Sequence, residues 1–556
     1  MAPETGSRGV SMPAPFKRPE TIDLGDGIIL RWSTQDDTEN IADCMAEAFR
    51  WVPVVEPRKE EDEPKPNELA RSGMRRLMRG NSGVMSFYDY AVAVNTLAKE
   101  GQNPVVACVC LQASPGYYGK VPVLYGKPEC VGSHPDFRNK GLVRRLFLDL
   151  IHPASDSRGD VIQIVPGISH FYRQFGYEYA MDWGTAYMID NLFTLFPQLD
   201  PSTTLALPEN EREPEPFTLR EPSLDDIPYL VKMSTREKLQ SRAGLGLEYF
   251  DGYWKYTIHD VIQTQQAKND AKRTTRIIVD AKNGKDCGVI VVEFVKRLKL
   301  QIFTLEDGYH YRDAVFSVLR QMIAFINQPT RWELKEKEEK EEKEAKEKAQ
   351  REEEGAEEYK KNEEKPKPRV QGIAIDLDHQ HPVAKLLSHQ ITPKIRPYKL
   401  YTRIQSYAKF ILTVRPELED RLAKSCLAGI TVTWQFDFFR KVLGSTGRGL
   451  EVVFKEGKII SASDDWVPLT PHATMMAARE RIAKAKAEGR PDKKPLVYSA
   501  EFAPLTFTRL LVGDMSIEEM IRYYGECSVV TGGDDAELML DILFPKQLSH
   551  FDMFWW

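Results

Sequence analysis

The stretch that most constrains the fold of this chain is CVGSHPDFRNKGLVRRLF, residues 130–147. Its apolar start predicts a strand, and its end predicts an amphipathic helix that begins directly after a tight loop. The first amides of such a helix have no intrahelical acceptor, so with the helix dipole they form an anion site, which Gly141 lets the anion approach closely. We expect the anion to be a pyrophosphate. The basic side chains of the loop and helix are Arg138, Lys140, Arg144 and Arg145.

The loop differs from two common nucleotide-binding motifs. A P-loop would continue from its glycine into Lys-Ser or Lys-Thr, whereas Leu142 follows Gly141 here. The Rossmann fingerprint G-x-G-x-x-G is absent. The preceding segments read as a strand over 28–32 and a helix with an apolar side at Ile41 and Met45. Strands follow on both sides of the loop, and this order predicts an α+β domain with a central strand–loop–helix unit.

The same layout begins again after the spacer PENEREPEP, residues 208–216. LRWSTQDDTENIADCMAEAF and LREPSLDDIPYLVKMSTRE both show a strand, a Ser/Thr turn, a pair of aspartates and a helix. This indicates a degenerate internal duplication. The second copy has LEDGYHYRDAVFSVL where the first has its basic loop. We interpret it as a structural unit without the anion site, with an unrelated α+β domain as the alternative.

Residues Glu333–Lys367 form a run of Glu and Lys with no apolar stripe. Such a run predicts a solvated arm, because it offers nothing to pack on a core. The composition is globular again from about residue 397, and Ser516 with Glu519 forms the sequence pattern of a capping box. The expected organisation is a disordered tail over 1–20 and globular units over 21–207, 208–396 and 397–556.

The net charge, the length of the apolar runs and the cysteine count argue against several classes of protein. A formal net charge of −6 over 556 residues disfavours nucleic acid as a partner. No apolar run reaches the roughly 18 residues of a membrane span, and the N-terminus lacks the apolar region of a signal peptide. The 7 cysteines are odd in number and include no C-x-x-C pair, which indicates a reducing compartment. We therefore expect a cytoplasmic protein without a metal site.

Two motifs resemble those of the GCN5-related N-acetyltransferases (GNAT). R-x-x-G-x-V at Arg138, Gly141 and Val143 is similar to the family's [QR]-x-x-G-x-[GA], with valine at the position of the usual small residue. FYRQFGYEYA is similar to the family's Y-x-x-x-G-[FY] segment after the next strand. The resemblance implies that the loop cradles the pyrophosphate of acetyl-CoA and that the preceding strand binds its pantetheine. The implied cofactor-binding residues are Val131, Gly132, Ser133, Arg138, Asn139, Lys140, Gly141, Leu142, Val143 and Arg144.

Nearly the whole chain, from about residue 21 to 556, resembles the enhanced-intracellular-survival (Eis-like) acetyltransferases. The stretches that carry this resemblance are LYTRIQSYAKFILTVRP, LTFTRLLVGDMSIEEMI and the chain end FDMFWW. The implied fold is α+β: two GNAT units in tandem, the second degenerate, followed by a C-terminal sterol-carrier-like α+β domain. The resemblance also implies a homo-oligomer.

The same resemblance implies two catalytic groups. Tyr172, which opens the Y-x-x-x-G-Y segment, would act as general acid, and the terminal carboxylate of Trp556 would act as general base. A free α-carboxyl has a pKa near ~3.5, and burial among aromatic side chains would raise that pKa. Each assignment has a structural alternative: Tyr172 as a core tyrosine, and the aromatic end as a plug between domains. We expect Tyr177 to pack in the core, and His170 is a weaker candidate base.

The implied activity is acetyl-CoA-dependent N-acetylation of a primary amine. In the Eis-like family the acceptors include aminoglycosides, polyamine-like amines and lysine side chains, and the sequence does not distinguish among them. The alternative is a non-catalytic acyl-CoA-binding or lipid-binding protein, because a sterol-carrier-like fold binds lipid in its own right and a fold does not fix function.

Overall fold

The computed structural model describes residues 21–50, 64–79, 85–183, 187–200, 214–241, 244–264, 272–294, 297–328, 370–377, 381–387, 392–393, 398–439, 449–467, 496–547 and 549–551, together with scattered positions between 476 and 488. The predicted tail over 1–20 and the predicted charged arm over 333–367 lie outside these residues. The chain end, residues 552–556, also lies outside them.

The elements before residue 184 follow the predicted alternation of strands and helices. The strands are β1 (Ile22–Gly25), β2 (Ile28–Trp32), β3 (Tyr90–Asn95), β4 (Val105–Tyr118), β5 (Val121–Ser133), β6 (Ile162–Val165) and β7 (Glu178–Trp183). The helices are α1 (Thr38–Ala48), α2 (Glu68–Met78), α3 (Leu142–Arg145) and α4 (His152–Arg158). A π-helical stretch, Leu146–Ile151, joins α3 to α4 without a break.

The middle of the chain again alternates strands and helices. Its strands are β8 (Tyr187–Ile189), β9 (Phe217–Arg220), β10 (Leu245–Leu247), β11 (Lys272–Asp280), β12 (Asp286–Phe294), β13 (Leu298–Leu305), β14 (Ile373–Ile375) and β15 (Thr392–Pro393). Its helices are α5 (Leu192–Leu195), α6 (Ile227–Ser241), α7 (Asp251–Thr264), α8 (Tyr311–Asn327) and α9 (Pro382–Leu386).

The last third of the chain has these strands: β16 (Tyr398–Arg403), β17 (Val432–Asp437), β18 (Gly449–Lys455), β19 (Lys458–Trp466), β20 (Val497–Glu501), β21 (Ser528–Thr531) and β22 (Ser549–His550). Its helices are α10 (Tyr407–Ala423), α11 (Phe507–Leu511), α12 (Ile517–Tyr523) and α13 (Gly533–Leu543). The predicted capping box is confirmed at the start of α12. There the Ser516 hydroxyl accepts from the Glu519 amide at 3.2 Å, and the Glu519 carboxylate accepts from the Ser516 amide at 3.1 Å.

The strands of the described residues form three sheets, which makes this a mixed α/β fold. The first sheet has the order β1-β2-β3-β4-β5-β6-β16-β7, with β10 joined to β4 and β22 joined to β10. The second has the order β15-β8-β14-β13-β12-β11-β9, and the third the order β19-β18-β17-β20-β21. The tandem arrangement and the sterol-carrier-like assignment stay predictions.

The chain divides into two compact units that are not continuous in sequence. The first unit draws on residues within 1–183, 243–248 and 398–556, and the second on residues within 184–242 and 249–397. Each unit has its own buried apolar core. The predicted domains over 21–207, 208–396 and 397–556 stay a prediction.

Strand β16 is the element that links the two distant parts of the first unit. Its Tyr401 pairs with Val165 of β6 on one side and with Tyr179 of β7 on the other. Leu400, Tyr401 and Thr402 are fully buried. Because strands β6 and β7 are both paired to β16, the first sheet depends on residues far along the chain.

The two units share one local structure that the repeated sequence pattern predicts. In the first unit Arg31 donates two hydrogen bonds to the Asp37 carboxylate, at 2.6 and 2.8 Å. In the second unit Arg220 donates two to Asp226, at 2.9 and 2.7 Å, and these bonds lower the pKa of Asp226. The residue three before each aspartate also donates its backbone N–H to that carboxylate. In both units the turn between the strand and the helix is therefore held by the same charge-assisted hydrogen bonds.

Candidate functional site

A cleft opens where strands β5 and β6 of the first unit diverge. The two parallel strands pair at Tyr125 with Ile162 and at Gly126 with Gln163. Strand β5 then runs on to Ser133, while β6 ends at Val165. The pairing of β4 with β5 shifts register at this point, and Cys130 has a left-handed φ of 51°. A bulge of this kind bends a strand and changes the direction of the residues after it.

The predicted anion loop lies at the end of β5 and leads into the helix as expected. Asn139 and Gly141 have left-handed φ values of 62° and 74°, and Gly141 is the N-cap of α3. A Cβ on Gly141 would meet no atom within 4 Å, so the space in front of the loop is open. The glycine is therefore needed for its backbone conformation and not for packing. The helical run behind it continues through the π-helical stretch to Arg158, so its dipole and first amides face the loop.

One cleft of about 630 Å³ brings most of the predicted site residues together. Tyr172 lines this cleft, and so do nine of the predicted cofactor residues. Lys140 does not line it, because its ammonium lies over the Phe137 ring, 4.4 Å from the centroid. The nine residues are Val131, Gly132, Ser133, Arg138, Asn139, Gly141, Leu142, Val143 and Arg144.

The remaining wall of the cleft is apolar except for Gln174, and it was not predicted from the sequence. These side chains lie outside the loop motif: they come from the end of α1, the turn before the loop and the segment after β6. The one available signal was the aromatic run FYRQF at 171–175. The unpredicted lining residues are Ala48, Phe49, Phe137, Ile168, Phe171, Gln174 and Phe175.

Two arginines fix the loop to the walls of the cleft. The Arg138 guanidinium donates to the carbonyl of Ala48, the last residue of α1, at 2.9 Å. The Arg144 guanidinium donates to the Gln174 side-chain oxygen in the segment after β6. Arg145 is turned to its own helix, where it pairs with Asp149. Amides at a helix start with two nearby guanidinium groups suit a pyrophosphate, and the apolar wall suits a pantetheine arm.

Tyr172 lies in an aromatic cluster at the inner wall of the cleft. Its side chain is 5 % exposed, and its ring centroid is 5.7 Å from Phe147, 5.1 Å from Phe171 and 5.3 Å from Tyr401. The Tyr401 hydroxyl donates to the Ile168 carbonyl at 3.1 Å, so strand β16 also holds the loop beside Tyr172. The tyrosine is both packed and at the cleft surface.

The Tyr172 ring packs directly against Gly167, which has no side chain. This contact gives a first prediction. A Cβ at position 167 would stand 2.0 Å from Tyr172 Cε2, so Gly167→Ala must displace the ring. We expect this variant to lose about 10- to 100-fold in kcat, because a misplacement of about 1 Å can cost that much. Steady-state kinetics and a thermal melt measure the effect. The matched control is Gly525→Ala, where a Cβ meets nothing within 4 Å; equal kinetics in the two variants would contradict the prediction.

The other residues considered from the sequence do not line the cleft. Tyr177 is fully buried, donates to the Gln163 side chain, and has its pKa raised by burial, as expected for a core tyrosine. His170 is exposed, with a left-handed φ of 63°, and does not line the cleft. His134 accepts from the Asp136 amide at 3.3 Å and caps the turn after β5.

His152 is a buried histidine behind the aromatic cluster, and burial lowers its pKa to about 3. The folded protein therefore keeps it neutral, whereas the unfolded chain protonates it below its ordinary pKa of about 6.5. Because the unfolded state then binds more protons, stability falls as the pH drops below 6.5. We expect a contribution of about 1.4 kcal/mol per pH unit between pH 6 and 4. Urea unfolding of wild type and His152→Phe across this range measures it, and identical pH slopes would contradict the prediction.

The described part of the chain offers no grouping of His, Cys, Asp and Glu side chains that could hold a metal ion. Burial raises the pKa of the Cys110 and Cys130 thiols, so both stay protonated and are poor nucleophiles. Among the described helices, none is long and apolar enough to cross a membrane.

Trp556, the predicted general base, lies outside the described residues. The last described residue, Phe551, is buried, and its ring centroid is 5.5 Å from that of Tyr125. Tyr125 is the β5 residue at which pairing with β6 occurs before the two strands diverge. The last described residue therefore lies in the buried core beside β5, five residues before the chain end.

The chain has the fold of the GCN5-related N-acetyltransferases. A GCN5-related N-acetyltransferase from Kribbella flavida matches with a TM-score of 0.54 at 12% identity, over 95% of this chain and 98% of that one. A conserved protein of unknown function from Enterococcus faecalis V583, named a probable N-acyltransferase, matches with 0.53 at 12% identity, over 95% and 100%. A GCN5-related N-acetyltransferase from Anabaena variabilis matches with 0.52 at 11% identity, over 94% and 99%. No protein-family model and no curated protein matches this chain.

Proposed function

We propose that this protein is an acetyl-CoA-dependent N-acetyltransferase that acts on a primary amine. Tyr172 is the general acid and the terminal carboxylate of Trp556 is the general base. The observation that carries the proposal is the single cleft in which a glycine-capped helix start and two anchored arginines face an inner wall bearing Tyr172.

Each part of the cleft has a role in this reaction. Acetyl-CoA supplies an activated thioester when bound. The amides that follow Gly141, with Arg138 and Arg144, bind the pyrophosphate, and the apolar wall excludes water along the pantetheine. The backbone of Val131 and Ser133 at the end of β5 is the hydrogen-bonding edge for its amides. As the amine nitrogen bonds to the acetyl carbonyl carbon and the C–S bond breaks, Tyr172 Oη would give its proton to the departing sulfur, which leaves as the thiol of CoA.

The proposed base needs the chain end to reach the cleft. Phe551 packs on Tyr125 of β5 in the buried core, and five further residues span up to about 17 Å when extended. A carboxylate buried among aromatic side chains would have its pKa raised towards the range useful for a base at neutral pH. The amine's proton would then pass to Trp556.

A change at the chain end tests this base. We expect deletion of Trp556, or a C-terminal tag, to abolish acetyl transfer while acetyl-CoA binding survives, because the carboxylate is moved and the cleft is intact. Calorimetry with acetyl-CoA and a thiol-release assay measure the two properties. The same tag placed at the N-terminus is the control. Full activity of the C-terminally tagged protein would contradict the role of the terminal carboxylate.

The function itself is tested by thiol release from acetyl-CoA across a panel of amines. The panel should include aminoglycosides, polyamines and lysine peptides, since these are the acceptor classes of the Eis-like enzymes. We expect turnover with at least one of them. Tight binding of acetyl-CoA without turnover on any amine would overturn the enzyme and favour the non-catalytic acyl-CoA-binding or lipid-binding alternative.

The finer assignments belong to the same proposal. The Eis-like subfamily, the degenerate second GNAT unit over 208–396 and the sterol-carrier-like domain over 397–556 are proposed on the sequence resemblance. Each unit has an Arg–Asp pair that holds its strand–turn–helix, and this shared pair supports the tandem interpretation. A homo-oligomer and a cytoplasmic location are proposed on the same resemblance, and light scattering tests the first.

A further inference from the structure

The cleft wall that carries Tyr172 is a short segment between β6 and β7. It is the 3₁₀ turn Phe171–Phe175, and four of its five residues line the cleft. Left-handed residues bound it on both sides, His170 at φ 63° and Gly176 at φ 88°. A single 3₁₀ turn has poor hydrogen-bond geometry. Its position therefore depends on contacts with neighbouring elements, which include the bond from Arg144 to Gln174 and the groups that pack behind the turn.

His152 is the polar group behind this segment. Its Nε2 lies 3.0 Å from the carbonyl oxygen of Phe175, the last residue of the turn. The imidazole is 5 % exposed and does not line the cleft. A carbonyl oxygen only accepts hydrogen bonds, so Nε2 carries the proton and donates it. One buried hydrogen bond thus ties helix α4 to the end of the turn.

The aromatic rings around His152 extend this contact to Tyr172. The imidazole centroid is 5.7 Å from Phe147 and 5.6 Å from Tyr177. Phe147 stacks on Phe175 at 4.9 Å with an interplanar angle of 3°, and meets the Tyr172 ring edge-on at 5.7 Å. Tyr172, Phe175 and the terminal carbonyl of the turn therefore contact one cluster, which is formed by His152 and the rings around it.

The helix has an unusual local geometry directly before His152. The stretch Leu146–Ile151 is π-helical, and it contributes Phe147 to the cluster. A π-helical turn rotates the residues after it relative to a regular α-helix, and such turns are frequent at functional sites. Here it separates the anion loop at the start of the helical run from His152 at the start of α4. One helical run thus presents its amides to the proposed pyrophosphate and its histidine to the wall bearing Tyr172.

We infer that His152 is a positioning residue of the transferase reaction, which sets the place of Tyr172 through its hydrogen bond to the Phe175 carbonyl. This inference rests on the proposed function, because the benefit of placing Tyr172 is a correctly aimed proton donor. His152 touches neither the cleft nor the reacting atoms and is not a catalytic residue. Its neutral form donates the hydrogen bond without introducing a buried charge.

Two substitutions separate positioning from packing. His152→Phe keeps an aromatic ring in the cluster and removes the donor, whereas His152→Gln returns an N–H at the same distance along the side chain. We expect His152→Phe to lose about 10- to 100-fold in kcat, with the KM for acetyl-CoA within about twofold, because geometry and not binding is affected. His152→Gln should regain most of that loss. The matched control is His310→Phe, an exposed histidine of the second unit.

A second measurement does not depend on turnover. Amide hydrogen exchange of the peptide covering residues 171–177 should be faster in His152→Phe and close to wild type in His152→Gln. This peptide includes the bonds from the Gly176 amide to Arg173 at 3.1 Å and from the Tyr177 amide to Tyr172 at 3.4 Å. Unchanged exchange or unchanged kcat in His152→Phe would overturn the inference.

The outcomes distinguish the inference from the proposed function. A wild-type protein that turns over no amine overturns the function, and the exchange experiment still decides whether His152 holds the segment. If His152→Phe does not fold, His152→Gln carries the test: near wild-type kcat and exchange support the inference, and a loss of 100-fold in kcat overturns it. Equal losses in both variants with a rising KM for acetyl-CoA indicate packing alone and also overturn it.

Discussion

A chain that ends at residue 396 is expected to lose the fold of the unit that holds the cleft. Such a chain lacks β16, the strand between β6 and β7. Two strand edges that are paired in the full chain would then be exposed, and Tyr172 would lose its neighbour Tyr401. Unpaired edges beside an exposed apolar core promote aggregation. We expect low soluble yield and no binding of acetyl-CoA by calorimetry.

Supplying the missing part in trans is the control for this truncation. Co-expression of residues 398–556 brings back β16 and the helices after it, and should restore solubility and binding at least in part. The proline variant Thr402→Pro in the full chain is a milder test, because proline removes a backbone donor from a strand paired on both sides. A truncated chain that folds and binds acetyl-CoA like the whole protein would contradict the structure of the first sheet.

Tyr172→Phe is expected to lower kcat by about 10²- to 10⁴-fold, the usual contribution of general acid–base catalysis. The substitution removes one oxygen and leaves the ring among Phe147, Phe171 and Tyr401. The affinity for acetyl-CoA should therefore change by less than about twofold. Initial rates of thiol release and calorimetric titration measure the two quantities.

Tyr177→Phe is the matched control for this prediction. It removes a hydroxyl from the residue just before β7, where Tyr177 donates to Gln163 in the core. We expect it to cost about 1–3 kcal/mol of stability, because a buried acceptor is left without its donor, while kcat stays within a few fold. If the two variants had the same kcat, Tyr172 would be a core tyrosine and not the general acid.

The anion loop could be predicted because the interactions that form it join residues close together in the sequence. A strand, a glycine in a basic loop and a helix start follow each other within residues 130–147, so the sequence order is the spatial order. The left-handed φ of Gly141 and its N-cap position agree with that prediction. The repeated sequence pattern predicted a local structure for the same reason: the Arg–Asp pair at Arg31 recurs at Arg220, each time within one strand–turn–helix.

The rest of the site depends on contacts that sequence spacing does not reveal. Strand β16 follows β7 by more than two hundred positions and still pairs with both β6 and β7. Tyr401 therefore contacts the loop at Ile168, and Phe49 lines the cleft from the end of α1. No sequence motif predicts either contact. His152 was not a candidate either, because a lone histidine in a helical pattern resembles any core residue. Tertiary pairing and not propensity decides these positions.

The insertion of β16 has a consequence for the order of events on the ribosome. Synthesis proceeds at about 5–20 residues per second, and domains usually fold as they emerge. Strands β6 and β7 are complete early, yet they wait on the order of ten seconds or more for the strand that belongs between them. Throughout that interval the nascent chain carries two unsatisfied edges and an open apolar layer. The sheet that carries the cleft, and with it the proposed acetyl-CoA site, is therefore complete only after translation of the last third of the chain.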